Sequence, residues 1–89
     1  MDFELEFTRE AEVDFKEIDC FFYALGIVER FYEDFNRQMT YIQNNPFLFQ
    51  LRYKNVRIAH LQNFKYSIHF IILHKTITVL RILEQHRHF

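Results

Sequence analysis

Cations and aromatic rings alternate along the second half of this chain. Lys54, Arg57, Lys65, Arg81 and Arg87 are interleaved with Tyr53, Phe64 and Tyr66. That mixture suits a nucleic-acid backbone, with cations neutralising phosphates and rings stacking on bases. A fixed cation also stabilises the charge that grows during in-line phosphoryl transfer. The competing explanation is a solvated basic sheet edge, which guards against edge-to-edge pairing. The residue types leave both open.

All five histidines lie in the same half. His86 and His88 are two apart, while His60, His69 and His74 are scattered. Neither a cysteine partner nor an H-E-x-x-H spacing accompanies them, so no metal site is expected. His86, beside Arg87, is a candidate general acid or base, because imidazole titrates near neutrality. A polar terminal histidine explains it equally well. No cofactor is expected. Gly26 is the only glycine, so a glycine-rich phosphate loop is ruled out. Ser67 is the only serine and has no G-x-S-x-G surround. Cys20, followed by Phe21 and Phe22, reads as a buried, inert thiol.

The elements that must position these residues follow from periodicity. Phe3, Leu5 and Phe7 alternate with Asp2, Glu4 and Glu6, which predicts a half-buried strand. Thr8 stands where an N-cap would, with Glu10 and Glu12 in the following turn. Ala11, Phe15, Ile18, Phe22 and Leu25 then mark one helix face, expected to pack against the strand carrying Phe3, Leu5 and Phe7. Gly26 breaks or caps that helix. Val28, Phe31, Phe35, Met39 and Ile42 predict a second helix over 27–43. Its other side, with Glu29, Arg30, Glu33, Asp34, Arg37 and Gln38, reads as solvated. Asn44-Asn45-Pro46 ends it, since proline cannot continue the hydrogen-bond ladder.

Three strands follow, over 56–61, 66–73 and 76–83, joined by short connectors that imply antiparallel hairpins. The expected fold is α+β in the order β-α-α-β-β-β. A small, twisted, mainly antiparallel sheet carries a helical hairpin on one face. Simple alternation then puts Arg57 and Arg81 together on the uncovered face.

Residues 1–89 make a single domain; there is no room for a second core. Apolar types form 49% of the chain, and 12 Phe with 5 Tyr exclude a disordered class. A lone cysteine precludes an intrachain disulfide. The acidic, alternating N-terminus is unlike a signal peptide. The longest apolar run, Phe70 to Leu73, is far short of the roughly 20 residues that span a bilayer. A soluble, cytoplasmic protein with no membrane partner is expected. The net charge of −1 hides a split. Residues 1–49 carry four Lys/Arg against eleven Asp/Glu, a net −7; residues 50–89 carry seven against Glu84 alone, a net +6. Such asymmetry matters when each half forms one surface.

Taken in order, several stretches resemble the RelE/ParE superfamily of toxins from type II toxin–antitoxin modules. They are Phe7-Thr8-Arg9-Glu10-Ala11-Glu12-Val13-Asp14-Phe15, Asn45-Pro46-Phe47, Val56-Arg57-Ile58, Phe64-Lys65-Tyr66-Ser67-Ile68-His69-Phe70 and Ile77-Thr78-Val79-Leu80-Arg81-Ile82-Leu83. The resemblance covers nearly the whole chain. It implies the same β-α-α-β-β-β order. It also implies a growth inhibitor, important for plasmid stabilization, held inactive by a cognate antitoxin through protein–protein interaction. Homodimers and toxin–antitoxin hetero-oligomers both fit it.

Two activities occur in the superfamily. RelE-like members cut messenger RNA on the ribosome. For such a ribonuclease the resemblance implies catalytic roles for Arg57 and Arg81 on phosphate charge, and for Lys54 or His86 in proton transfer. ParE-like members poison DNA gyrase without catalysis. In either case Lys54, Arg57, Lys65, Arg81 and Arg87 are the implied target or nucleic-acid contacts. Glu84 stands where relatives usually have His, and no Tyr follows Tyr66. Both departures favour gyrase slightly over messenger RNA. A toxin that has lost its activity and only binds antitoxin is the third reading.

Overall fold

The computed structural model describes residues 3–85. The chain begins with strand β1 (Glu4–Phe7), followed by helices α1 (Arg9–Ala24) and α2 (Val28–Asn44). A 3₁₀ turn (Pro46–Leu48) leads into β2 (Leu51–Tyr53), β3 (Val56–His60), β4 (Tyr66–Leu73) and β5 (Thr76–Glu84). The strands form one sheet in the order β1-β5-β4-β3-β2. β1 runs parallel to β5, and every other pair is antiparallel. This is the expected α+β arrangement, with the short strand β2 added at one edge.

Local chemistry explains the joints. The Thr8 hydroxyl accepts from the Ala11 amide at 3.0 Å, capping α1, and donates to the Leu80 carbonyl at 2.8 Å. One side chain thus starts the helix and ties it to β5. At the other end Gly26 adopts φ +78. Its amide bonds to the Tyr23 carbonyl and that of Ile27 to the Phe22 carbonyl, the paired bonds of a Schellman ending. Gly26 thereby turns the chain into α2. β2 and β3 are joined by Lys54-Asn55, and β4 and β5 by His74-Lys75; Lys54 and His74 carry the positive φ that such tight turns need.

The core lies between the hairpin and one face of the sheet. Phe31 is fully buried, its ring within 6.2 Å of those of Phe15, Phe22, Tyr32, Phe35 and Phe64. Ala59, Ile68, Phe70, Ile77, Val79 and Ile82 complete it from the sheet. Phe15 was expected to face β1, but its ring packs on Phe31, Tyr32 and Phe35 of α2. Phe22 likewise meets Phe64 of the β3–β4 loop and Tyr66 at the start of β4. The reason is the parallel β1–β5 pair, which places β5 rather than β1 beneath α1. The solvated face expected of α2 also needs correction: Asp34 and Gln38 are buried. The Asp34 carboxylate accepts from the Gln62 and Asn63 amides at 3.1 and 2.7 Å, pinning the β3–β4 loop to the helix. Cys20 is exposed, not buried.

Candidate functional site

The expected meeting of Arg57 and Arg81 on one face does not occur. Arg57 stands opposite Phe70 and, through it, Val79, both core residues beneath the helices. Arg81 stands opposite His69 and, through it, Ile58. A bulge causes the separation. The register shifts between His69 and Phe70, leaving Leu80 without a partner. Val79 and Ile82, three apart, both reach the core, and Arg81 is thrown to the other side. Simple alternation cannot foresee that extra residue.

Each arginine is already engaged. Arg57 donates to the carbonyls of Phe47 and Phe49, at 3.3 and 2.6 Å, and its guanidinium lies 5.3 Å from the centre of the Phe47 ring. It braces the segment after α2. Arg81 makes a two-pronged contact with Asp14 of α1, at 2.7 and 3.1 Å. That hydrogen bonding raises the guanidinium's pKa still further. The same Asp14 carboxylate accepts from the Ile82 amide at 2.9 Å. α1 therefore finishes the edge of β5 that β1 leaves unpaired.

Lys54 is exposed in the β2–β3 turn, and Lys65 is exposed in the β3–β4 loop. Lys54 and Lys65 remain surface cations at opposite ends of the sheet's β3 side. His86 and Arg87 lie outside the described residues.

The sheet face away from the helices holds a cluster that sequence reasoning missed. Strand alternation brings Tyr53, His60, Ser67 and His69 together there. The His60 Nδ1 and Ser67 Oγ atoms are 2.6 Å apart. The Tyr53 hydroxyl lies 3.5 Å from His69 Nδ1. Ser67 and His69 are buried although no helix covers them. Desolvation pulls the His69 pKa down to about 4, aided by His60, Arg81 and Arg52 and weakly opposed by Asp14. His69 is thus neutral near pH 7, a hydrogen-bonding ring and not a cation. Ser67, fully buried, is closed to attack on a bulky substrate. Part of the signal for this cluster was present: Ser67 and His69 stand out of phase with the apolar Ile68, Phe70 and Ile72 of β4, whereas His60 shares its face with Val56 and Ile58. Among the described residues no three His, Cys, Asp or Glu side chains gather in a metal-binding group.

The sequence profile of the ParE toxin of the type II toxin–antitoxin system parDE matches residues 5–89. The chain belongs to the ParE toxin family. A solved structure of the chromosomal ParDE system from P. aeruginosa shares the fold. It superposes with a TM-score of 0.78 at 23% identity, over 92% of this chain and 95% of that one. No curated protein matches in sequence. Among the described residues, no helix of this ParE family member is long and apolar enough to cross a membrane.

Proposed function

We propose that this chain is a growth-inhibiting toxin that acts on DNA gyrase by binding, and that a cognate antitoxin silences it. Family membership supports the toxin reading. The observation that carries the choice of target is the separation of Arg57 and Arg81. A ribonuclease that stabilises one phosphate with both needs them on one face and available. Here they stand on opposite faces, one bound to backbone carbonyls and the other to Asp14. Breaking either arrangement to free a catalytic cation forfeits charge-assisted hydrogen bonds. Ribosome-dependent cleavage of messenger RNA is the alternative, and the cluster of Tyr53, His60 and His69 is its one structural support.

The deciding experiment is to induce the chain alone and follow two readouts. Gyrase–DNA cleavage complexes should accumulate, while primer extension on messenger RNA shows intact transcripts. Growth arrest with cut messages and no cleavage complex would reverse the assignment.

A further inference from the structure

Phe7 of β1 and Phe15 of α1, expected to pack together, instead line a hollow of about 480 Å³. Small-molecule sites occupy roughly 300–1,000 Å³. Phe35 of α2 and the charged groups Glu12, Lys16 and Asp19 complete the lining. Glu12, Phe15, Lys16 and Asp19 recur at helical spacing, so one face of α1 supplies all four. Phe35 is buried and Phe15 partly so, while Phe7, Glu12 and Lys16 are exposed. The hollow therefore has an apolar floor and a charged rim. Floor and rim are also held together. The Phe15 ring lies 5.0 Å from that of Phe35 and stacks on Tyr32 at 6.2 Å. The hydroxyl of the same Tyr32 donates to Asp19 Oδ1. One side chain thus fixes a ring of the floor and a carboxylate of the rim relative to each other. A site fixed before binding loses less entropy when a ligand arrives.

Charge selects the ligand. Among the described residues only Tyr32 hydrogen-bonds to the Asp19 carboxylate, so Oδ2 keeps its capacity to accept. Lys16 offsets one of the two rim carboxylates and leaves the lining with a net −1. The surrounding chain is more acidic still: residues 1–34 carry three Lys or Arg against eleven Asp or Glu, a net −8. A cation entering the hollow meets an attracting field, and an anion a repelling one. The three phenylalanine rings add apolar area and ring faces that attract an ammonium group. An inorganic cation would leave that apolar area uncovered. A neutral hydrocarbon would leave Asp19 Oδ2 without a donor.

We propose that this hollow binds an organic ammonium ion with an apolar body, an arylalkylamine in its protonated form. The ammonium group donates to Asp19 Oδ2, and the aryl group lies against Phe7, Phe15 and Phe35. Nothing in the chemistry of the hollow rests on the choice of cellular target.

The test titrates the purified, isotope-labelled full chain with 3-phenylpropylammonium and follows its amide resonances by NMR. Shifts should concentrate over residues 12–19 and at Phe7 and Phe35. The dissociation constant should be about 1 mM or tighter, in keeping with a ligand of roughly ten non-hydrogen atoms. The matching alcohol, 3-phenylpropan-1-ol, should bind at least about threefold more weakly, since it lacks the charge. The carboxylate 3-phenylpropanoate and the ringless propylammonium should each bind at least about tenfold more weakly. Rising salt should weaken the phenylpropylammonium ion and leave the alcohol unmoved. Asp19→Asn keeps an acceptor for Tyr32 and should weaken ammonium binding at least about threefold at an unchanged melting temperature. Lys16→Gln removes the competing cation from the rim and should tighten it. Shifts spread over the whole acidic surface, alcohol or carboxylate binding as tight as the ammonium ion, or indifference to Asp19→Asn overturns the proposal. Weaker binding by Lys16→Gln does the same. Should Asp19→Asn fail to fold, the probe series and Lys16→Gln still decide.

Discussion

The two faces of the sheet reach burial by different means. Beneath the helices, Phe70, Ile68, Ile77, Val79 and Ile82 meet a layer of phenylalanine rings. On the far face, Val56 and Ile58 share their burial with Ser67 and His69. The first face excludes water with apolar area and ring packing, which are indifferent to pH. The second buries titratable and hydrogen-bonding groups, whose stability depends on protonation and partners. Most of the folding energy should therefore belong to one side, and most of the sensitivity to conditions to the other.

The largest expected effect tests the apolar side. Phe31→Ala removes a ring at the centre of five others and should cost about 3–5 kcal/mol. Thermal unfolding should shift down by more than about 12 °C, given roughly 4–8 °C per kcal/mol for a domain of this size. A shift of only a few degrees would show that the hairpin repacks freely. Next is Asp34, a polar group on the apolar side. Asp34→Ala strands the Gln62 and Asn63 amides and should cost about 2–4 kcal/mol, as each hydrogen bond to a charged group contributes about 1.5–3. Hydrogen exchange at those two amides should accelerate selectively.

The far face is tested by pH. His69 has a folded pKa of about 4, below its ordinary 6.5. Between those values the unfolded chain binds more protons, so stability falls as pH drops through that window and levels off below it. The loss should be of order 2–3 kcal/mol, near one proton's differential binding across the window. His69→Gln should flatten this part of a denaturation series taken from pH 7 to 4. An unchanged slope in the variant would assign the dependence elsewhere. The smallest effect is expected at Arg81, which is nearly half exposed. Arg81→Gln should lower stability by only about 0.2–1 kcal/mol, and less at high salt. A much larger loss would mean that Arg81 holds the bulge in place and does more than decorate it.

This contrast also marks how far the sequence was readable. β1 was legible because three apolar residues alternate with three acids, and both helices because their apolar positions keep a period near 3.6. The helix ends were legible through Thr8, Gly26 and Pro46. Features set by long-range partners were not. Nothing at Leu80 announces a bulge, since no glycine marks it, yet that one residue moves Arg81 away from Arg57. Asp34 looked like its exposed neighbours because its amide partners lie nearly thirty residues away. β2, three residues long, is too short to show a period. The site expectations resting on Arg57 and Arg81 shared a face only under unbroken alternation, the assumption the bulge removes.

The double attachment of Thr8 and Asp14 to β5 bears on the order in which the protein can form. Thr8 reaches Leu80, 72 positions away, and Asp14 reaches Ile82, 68 positions away. Among the described residues β1 has its only sheet partner in β5. A chain made from its N-terminus therefore releases its first strand and helix well before the strand that completes them exists. Such distant pairings fold slowly, because loop closure precedes the contacts that reward it. Until β5 emerges, the phenylalanine face of α1 and α2 has no sheet to cover, and chains that stop short of residue 82 lack the seam joining start to finish. Synthesis itself thus delays assembly of the fold until β5 has been made.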